Sequence, residues 1–329
     1  MSILVTGVAG FIGFHVALAL LARGERVVGI DNINDYYDTR LKEARLAELQ
    51  SARQFAFSKL DIADREAVFD LIAANKDLES VIHLAAQPGV RYSLENPYAY
   101  IDSNIMGSVV ILEAARRIKR LSAIIYASSS SVYGGNRRQP SSIDDPVNQP
   151  ISLYAASKAS CELIAHSYSH LYGLPATGLR YFTTYGPWGR PDMATWLFTE
   201  AIISGRPIKV FNNGQMARDF TYIDDIVVGT LAAHDRPAAS GESGSRTLDR
   251  LYNLGNRKPE KLLDFIAVIE QALGRVANKE MLPMQPGEVL ESCADIGPAT
   301  RDLGFEPKTS IEEGIPRFVS WYKKYCKID

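Results

Sequence analysis

The sequence predicts an α/β fold in which helices cover both faces of a parallel sheet. Short apolar runs alternate with amphipathic helical patterns through the first two-thirds of the chain, which is typical of strand–helix–strand crossovers. Several of these runs are continuously apolar, as a sheet buried on both faces requires. The predicted strands are residues 2–6, 26–31, 54–59, 80–84, 123–128 and 176–181. The predicted helices lie near residues 14–23, 40–51, 65–75, 99–117 and 153–172.

The composition is that of an ordinary globular protein. The 329 residues are 46% hydrophobic and 22% charged, which is enough for one large domain or two smaller ones. The net charge of −2 gives no electrostatic reason to expect a nucleic acid or an anionic membrane as partner. No apolar run approaches the roughly 20 residues that span a bilayer, and no basic or secretory segment precedes the first strand. The three widely spaced cysteines of the chain lead us to expect a cytoplasmic protein.

The cysteines and histidines predict neither a disulfide framework nor a metal site. Cys161, Cys293 and Cys326 are odd in number and far apart, so we expect reduced thiols. The five histidines form no zinc-like cluster, although His166 and His170 are four residues apart.

A glycine-rich turn follows the first strand. Gly7, Gly10 and Gly13 lie between that strand and a helical pattern. Backbone N–H groups and the helix dipole at such a turn hold a pyrophosphate without a cationic side chain, and glycine lets the backbone approach it. Glycine-rich turns also occur for packing reasons alone, so the motif by itself leaves both interpretations open.

Asp31 strengthens the nucleotide interpretation. It ends the second strand, 18 positions after Gly13, where a dinucleotide fold needs a carboxylate for the adenosine ribose hydroxyls. A carboxylate there favours NAD over NADP, because it repels a 2′-phosphate. The alternative is an exposed residue at a strand end. Together the two features predict a doubly wound Rossmann sheet that binds NAD.

The pattern changes after about residue 181 to short elements rich in glycine, proline and aromatic residues. We predict a Rossmann domain over residues 1–181 and a smaller mixed α/β domain over 182–329 that mainly binds substrate, with some segments possible in the main sheet. Ligands of open α/β sheets bind beyond the carboxyl ends of the strands, so the second domain is expected to cover that edge. The polar residues 241–246 are predicted to form a mobile surface loop.

Two segments carry residues suited to proton transfer. Tyr154 and Lys158 are four residues apart on one helix face, where the ammonium stabilises a phenolate that acts as a base. Residues 127–134 place four consecutive serines at the carboxyl end of a predicted buried strand. Each signal has a plain alternative, since such Tyr–Lys pairs are common on exposed helices and serine runs are common in polar turns.

Together these segments resemble the extended short-chain dehydrogenase/reductase superfamily. The shared features are the glycine turn, Asp31, residues 83–86, the serine stretch before Val-Tyr-Gly, and YxxxK. The resemblance is closer to nucleotide-sugar 4-epimerases, in particular UDP-glucuronate 4-epimerases. That closer resemblance is carried by residues 84–97, 179–193, 216–225, 252–256 and 282–287. YxxxK is specific only to the superfamily, whereas the first two of these longer segments are specific to the subfamily.

The resemblance implies a mechanism. Tyr154 would take the proton from the 4-hydroxyl of the sugar while hydride passes from carbon 4 to NAD⁺. Lys158 would hold the nicotinamide ribose, and the Ser129 hydroxyl would bridge the 4-oxygen and Tyr154. The 4-keto sugar would then rotate and take the hydride back on its other face. The NAD is regenerated in each turnover and is therefore expected to stay tightly bound.

The resemblance also implies the residues that contact each ligand. The cofactor contacts are Gly7, Gly10, Phe11, Ile12, Gly13, Asp31, Asn32, Asp61, Ile62, Leu84, Ala85, Ala86, Tyr154, Lys158 and Tyr181. The substrate contacts are Gln87, Arg91, Ser129, Ser130, Ser131, Tyr154, Thr183, Arg190 and Arg218. Arg190 would pair with the sugar carboxylate and Arg218 with the diphosphate. The alternatives are a surface role for Arg190 and an ion pair of Arg218 with Asp219 or Asp224.

Ser131 separates the possible reactions. Related UDP-glucuronate decarboxylases and 4,6-dehydratases carry an acid at this position, two residues before the tyrosine of Val-Tyr-Gly. A neutral hydroxyl cannot replace that acid, so the resemblance implies 4-epimerisation of UDP-glucuronate to UDP-galacturonate without decarboxylation. The alternatives are a UDP-glucose 4-epimerase, a decarboxylase, which Ser131 disfavours, and a non-catalytic NAD-binding regulator. Retention of Ser129, Tyr154 and Lys158 disfavours the regulator.

The helical stretches 99–117 and 153–172 are apolar on more than one face. This pattern suits a homodimer that forms through a four-helix bundle, as in the superfamily. Complete burial inside a monomer explains the same pattern.

Overall fold

The computed structural model describes residues 1–136, 138–238, 248–285 and 287–328. Its strands are β1 (Ser2–Thr6), β2 (Arg26–Asp31), β3 (Phe55–Lys59), β4 (Leu78–His83), β5 (Ala123–Ser129), β6 (Ala176–Tyr181), β7 (Thr183–Tyr185), β8 (Ile208–Val210), β9 (Ala217–Tyr222), β10 (Asp249–Leu254), β11 (Pro259–Lys261) and β12 (Lys279–Met281). Its α-helices are α1 (Phe11–Ala22), α2 (Thr39–Gln50), α3 (Arg65–Ala74), α4 (Tyr92–Glu95), α5 (Tyr98–Tyr100), α6 (Gly107–Ala115), α7 (Leu153–Tyr172), α8 (Ala194–Ile203), α9 (Ile223–Asp235), α10 (Leu262–Leu273), α11 (Gly297–Leu303) and α12 (Ile311–Cys326).

Seven parallel strands form the main sheet in the order β3-β2-β1-β4-β5-β6-β10. Strands β1 and β6 are buried along their whole length, because helices cover both faces of the sheet. The strand order reverses between β1 and β4, which opens a crevice at the carboxyl edge. The predicted doubly wound α/β fold is confirmed, and every predicted strand is present within two residues of its expected bounds.

The segment after residue 181 contributes to both parts of the molecule. Strand β10 completes the main sheet beside β6, and α9 packs against α1 in the helix layer. The other elements form a three-stranded sheet, β11-β9-β7, and a two-stranded sheet, β12-β8, with α8, α10 and α12 packed together. A domain boundary near residue 181 stays a prediction. The loop predicted at 241–246 lies outside the described residues.

The helix that carries Tyr154 begins and ends at clear local signals. The Ser152 side chain accepts a hydrogen bond from the Ala155 N–H at the N-terminus of α7. Gly173 ends the helix in the left-handed conformation, with φ of 66°. These two residues mark the two ends of α7.

The stretch predicted as a helix near residues 99–117 is helical but not regular. A π-helical segment, Ile101–Met106, separates α5 from α6. Such widened turns accommodate an extra residue and are frequent at functional sites. Here the segment contains the buried Asn104, whose partners are described below.

In the part of the chain that the structure describes, no helix combines the length and the apolar character needed to cross a membrane.

Candidate active site

The glycine turn lies at the carboxyl edge, where the strand order reverses. Gly7 has φ of +71°, and a Cβ there would lie 2.6 Å from the Ala85 nitrogen. A Cβ on Gly13 would lie 2.1 Å from the Gly7 oxygen. Gly10 precedes α1 and provides no side chain to cap it. The turn therefore leaves the first N–H groups of α1 without a side-chain acceptor, as a bound pyrophosphate requires.

Asp31 ends β2 beside this turn. Its carboxylate accepts hydrogen bonds from the Ala9 N–H at 3.1 Å and from the Ile33 N–H at 2.8 Å. The residue is buried, which excludes the alternative of an exposed strand end. Burial raises the pKa of Asp31, while the hydrogen bond from Ile33 opposes the rise. This buried carboxylate and the cradle that a Cβ would fill fit the adenosine half of NAD.

The neighbouring predicted cofactor contacts line the same edge. Asn32 donates to the Asp61 carboxylate at 2.8 Å, and Ile62 is buried against Gly107. The remaining contacts lie in α1 or directly after β4: Phe11, Ile12, Leu84, Ala85 and Ala86. Tyr181 ends β6 with its hydroxyl 2.9 Å from Thr230 Oγ1, and burial raises its pKa.

The predicted catalytic residues lie at the ends of β5 and α7. Lys158 is buried and donates from Nζ to the Ala127 carbonyl oxygen at 2.9 Å. Ser129 ends β5, where its hydroxyl oxygen accepts from the Ser131 N–H at 3.2 Å. Tyr154 is half-buried, with its ring edge-on to Tyr100 at a centroid separation of 6.1 Å. Helix α7, which carries the phenol and the ammonium, packs against the Ser130–Tyr133 turn.

A buried charged network lies beneath the serine turn, and sequence reasoning missed it. Glu162 and Arg180 form a bidentate ion pair at 2.9 and 2.8 Å, and each side chain is at most 6% exposed. The Ser128 hydroxyl donates to Glu162 at 2.5 Å, and Arg180 donates to the Tyr133 hydroxyl at 3.0 Å. The available signal was Glu162 four residues after Lys158, on the same helix face. A lone arginine in a buried strand was the second signal.

Asn104 is another residue that sequence reasoning missed. Its side chain accepts from the Gln87 N–H at 2.7 Å and donates to the Gln87 carbonyl at 3.1 Å. It also donates to the Ser157 hydroxyl at 2.9 Å. The π-helical segment thus ties the loop after β4 to α7. The sequence shows no motif for this role, because the partners lie 17 and 53 residues away.

Two predicted substrate arginines share one carboxylate. Arg91 and Arg218 each donate to Glu288 at 3.1 Å. The predicted alternative for Arg218, an ion pair with Asp219 or Asp224, is wrong. Asp219 is buried among backbone N–H donors and the Thr221 hydroxyl, and burial raises its pKa to about 6.

Arg190 is not an ordinary surface residue. It donates from Nε and Nη2 to the Asp192 carboxylate at 2.9 and 2.7 Å, and its side chain is 20% exposed. The Tyr36 hydroxyl donates to the same carboxylate at 3.1 Å. Among the described residues, Nη1 of Arg190 makes no hydrogen bond, so one edge of the guanidinium remains available.

The remaining predicted substrate contacts are Gln87, Ser130, Ser131 and Thr183. Gln87 is buried beside Asn34, whose amide donates to it at 3.4 Å. Ser130 and Ser131 begin the turn after β5, and Thr183 begins β7. All three residues are half-buried.

Among the residues that the structure describes, no group of three or more His, Cys, Asp or Glu side chains is arranged to hold a metal ion.

Comparison with known proteins places this site in a family. The family model described as GDP-mannose 4,6 dehydratase matches residues 4–318. The chain is 47% identical to UDP-glucuronate 4-epimerase 4 of Arabidopsis thaliana, over 100% of this chain and 77% of that protein. It is 47% identical to the probable UDP-glucuronate 4-epimerase of Rhizobium meliloti, over 98% and 97% of the two chains.

A solved structure resembles the whole chain. It is UDP-glucuronic acid 4-epimerase from Bacillus cereus in complex with UDP-glucuronic acid and NAD. The TM-score is 0.90 at 36% identity, covering 99% of this chain and 100% of that chain. The chain therefore belongs to the GDP-mannose 4,6 dehydratase family of extended short-chain dehydrogenases/reductases, in the group that includes the UDP-glucuronate 4-epimerases.

Proposed function

We propose that this chain is an NAD-dependent isomerase that interconverts UDP-glucuronate and UDP-galacturonate at carbon 4 without loss of the carboxylate. The observation that supports the proposal is that α7, which carries Tyr154 and Lys158, packs against the turn after Ser129, with the Lys158 ammonium bonded to the Ala127 carbonyl of β5. The side chains of that turn, Ser130–Tyr133, are neutral. The names and ligands of the similar proteins support the same reaction.

Each catalytic residue has a distinct task. Bound NAD supplies the hydride acceptor and donor for carbon 4. Tyr154 takes the proton of the 4-hydroxyl and later returns it. The buried Lys158 ammonium, one helical turn away, stabilises the phenolate electrostatically. The Ser129 hydroxyl orients the 4-oxygen toward Tyr154.

The cofactor contacts divide by chemistry. The glycine turn and the first N–H groups of α1 bind the pyrophosphate, since Gly10 leaves them uncapped. The Asp31 carboxylate would accept hydrogen bonds from the ribose hydroxyls, and Asp61 and Ile62 would contact the adenine. These contacts hold NAD through turnover.

Retention of the carboxylate follows from the hydroxyl groups around it. A 4-keto glucuronate is a β-keto acid, and loss of carbon dioxide moves negative charge from the carboxylate into the ring. Hydrogen-bond donors that contact the carboxylate stabilise its negative charge in the ground state. They therefore raise the barrier to decarboxylation. Ser130, Ser131 and Thr183 supply neutral donors, and the open Nη1 edge of Arg190 supplies a charged one.

The diphosphate is assigned to Arg91 and Arg218. Their two positive charges are offset by one carboxylate, that of Glu288, which leaves a net positive charge for a diphosphate.

A UDP-glucose 4-epimerase is the second candidate. The ion pair with Asp192 offsets the charge of Arg190, which favours a neutral hydroxymethyl group at carbon 5.

The products decide between these reactions. Protein purified without added cofactor is expected to convert UDP-glucuronate to UDP-galacturonate with no added NAD and no release of carbon dioxide. Chromatography with mass spectrometry resolves the UDP-sugars. A UDP-pentose as main product establishes a decarboxylase, and faster conversion of UDP-glucose establishes the second candidate. Bound NAD without turnover of either sugar establishes a regulator.

We also propose that the chain acts in the reducing cytoplasm, an environment in which its free thiols stay reduced. There it would form a homodimer through a four-helix bundle. Large apolar side chains are exposed on the adjoining helical segments from α5 to α7. They are Tyr98, Ile101, Met106, Leu163 and Leu171. Several exposed large apolar side chains on neighbouring helical segments are typical of a subunit interface.

The double variant Met106→Glu/Leu163→Glu is expected to be monomeric, because it buries two charges in the proposed interface. Light scattering after size exclusion should give twice the 36.3 kDa chain mass for the wild type and the chain mass for the variant. Val276→Glu, at an exposed position away from these helices, is the matched control and should stay dimeric. Equal masses for wild type and double variant would contradict the proposed interface.

A further inference from the structure

Arg45 carries a buried charge to which the proposed reaction gives no role. It lies in α2 and is fully buried. Its guanidinium donates to the Ala9 carbonyl at 2.8 Å, to the Tyr37 hydroxyl at 2.7 Å and to the Trp188 carbonyl at 2.5 Å. A longer bond of 3.4 Å reaches the Gly189 carbonyl. In the described part of the chain, no carboxylate lies within ion-pairing distance of this guanidinium.

The backbone acceptors of Arg45 belong to two separate loops. Ala9 lies in the glycine turn that is assigned to the pyrophosphate. Trp188 and Gly189 directly precede Arg190, which is assigned to the sugar carboxylate. Burial of a guanidinium without a carboxylate partner is costly. The carbonyl oxygens of the two loops and the Tyr37 hydroxyl offset part of that cost, while Nε has no hydrogen-bond partner among the described residues. One side chain thus connects the cofactor side of the site to the substrate side.

The second of these loops needs external support. Trp188 has φ of +61°, a conformation that bulky side chains rarely adopt. A further hydrogen bond of 2.9 Å joins His15 in α1 to the Pro187 carbonyl. Burial lowers the pKa of His15 to about 4, so the neutral ring donates this bond from Nε2. The Trp188 ring also packs on Phe14 at a centroid separation of 5.2 Å.

We propose that Arg45 is a positioning residue that holds the glycine turn and the Pro187–Arg190 loop in register, so that NAD retention and recognition of the sugar carboxylate both depend on it. This inference rests on the proposed roles of the glycine turn and Arg190. The buried positive charge also favours an anionic pyrophosphate at the turn, because charges interact strongly where water is excluded.

Arg45→Met tests the proposal, since it keeps most of the volume and removes the charge and the donors. Three quantities are measured: NAD per chain after purification and dialysis, and the calorimetric Kd values of UDP-glucuronate and UDP. We expect NAD content to fall at least about fivefold and the Kd of UDP-glucuronate to rise at least about tenfold. The Kd of UDP should change less than about twofold, because UDP lacks the carboxylate that Arg190 binds.

Arg45→Lys is the second variant and guards against a folding defect. Lysine keeps the positive charge but places it on a single nitrogen, which cannot donate hydrogen bonds to both loops at once. The variant should therefore retain more NAD than Arg45→Met and still bind UDP-glucuronate weakly. Arg40→Met, at an exposed position of the same helix, is the control and should match the wild type.

Either of two results overturns the proposal. The first is wild-type NAD content and UDP-glucuronate affinity in folded Arg45→Met or Arg45→Lys. The second is an equal loss of affinity for UDP and UDP-glucuronate, which indicates general loosening. Failure of the proposed function would be recognised separately, because the wild type would then form other products. The test of Arg45 does not depend on that result, since NAD content and the two Kd values are measured without turnover.

Discussion

Tyr154→Phe is expected to abolish epimerisation while NAD stays bound. The variant keeps the ring that packs edge-on to Tyr100, so the fold of the site is retained. It removes the only group assigned to exchange a proton with the 4-hydroxyl. Loss of a general base costs about 10²- to 10⁴-fold, and we expect kcat to fall by at least about 10³-fold. Product formation and NAD content are measured on the same preparation.

The control for this substitution lies on the same helix. Tyr168 donates its hydroxyl to Glu113 at 2.8 Å, away from the proposed site, so Tyr168→Phe should turn over at the wild-type rate. A Tyr154→Phe variant with near-normal turnover would refute the proposed mechanism. Loss of NAD from that variant would instead assign Tyr154 to cofactor binding.

Glu162→Gln is expected to give the largest loss of stability. It leaves the Arg180 guanidinium buried without its carboxylate, directly below the serine turn. Breaking one side of a buried ion pair costs about 3–5 kcal/mol, because the remaining charge is neither solvated nor paired. The free energy of unfolding is obtained from guanidinium chloride titration of wild type and variant.

A surface ion pair provides the matched control. Glu200 pairs with Arg206, and these side chains are 46% and 60% exposed. Glu200→Gln should lower the free energy of unfolding by less than about 1 kcal/mol, since water solvates the remaining charge. The double variant Glu162→Met/Arg180→Met should recover most of the stability that Glu162→Gln loses. Equal effects of Glu162→Gln and Glu200→Gln would show that the buried pair contributes nothing to stability.

Local patterns in the sequence were sufficient for the first six strands of the main sheet. Continuous apolar runs predicted the parallel strands, and Ser152 and Gly173 mark the bounds of α7. Gly7 and Gly13 predicted a turn in which their missing side chains are a steric requirement. These features can be predicted from the sequence because each depends on residues within a few positions of one another. Over such short distances, backbone geometry fixes the spacing of the residues along the chain. The π-helical segment was not predicted, since its period departs from that of the flanking helices.

The sequence by itself determined the α/β fold, the glycine turn, Asp31 and the pairing of Tyr154 with Lys158 on one helix face. Only the tertiary structure decided the groups that hold these elements together. The bond between Arg45 and Trp188 joins residues 143 positions apart, and that between Arg91 and Glu288 joins residues 197 positions apart. Such partners leave no periodic signal, because the packing of helices and loops in the folded chain, rather than distance along the chain, brings them together.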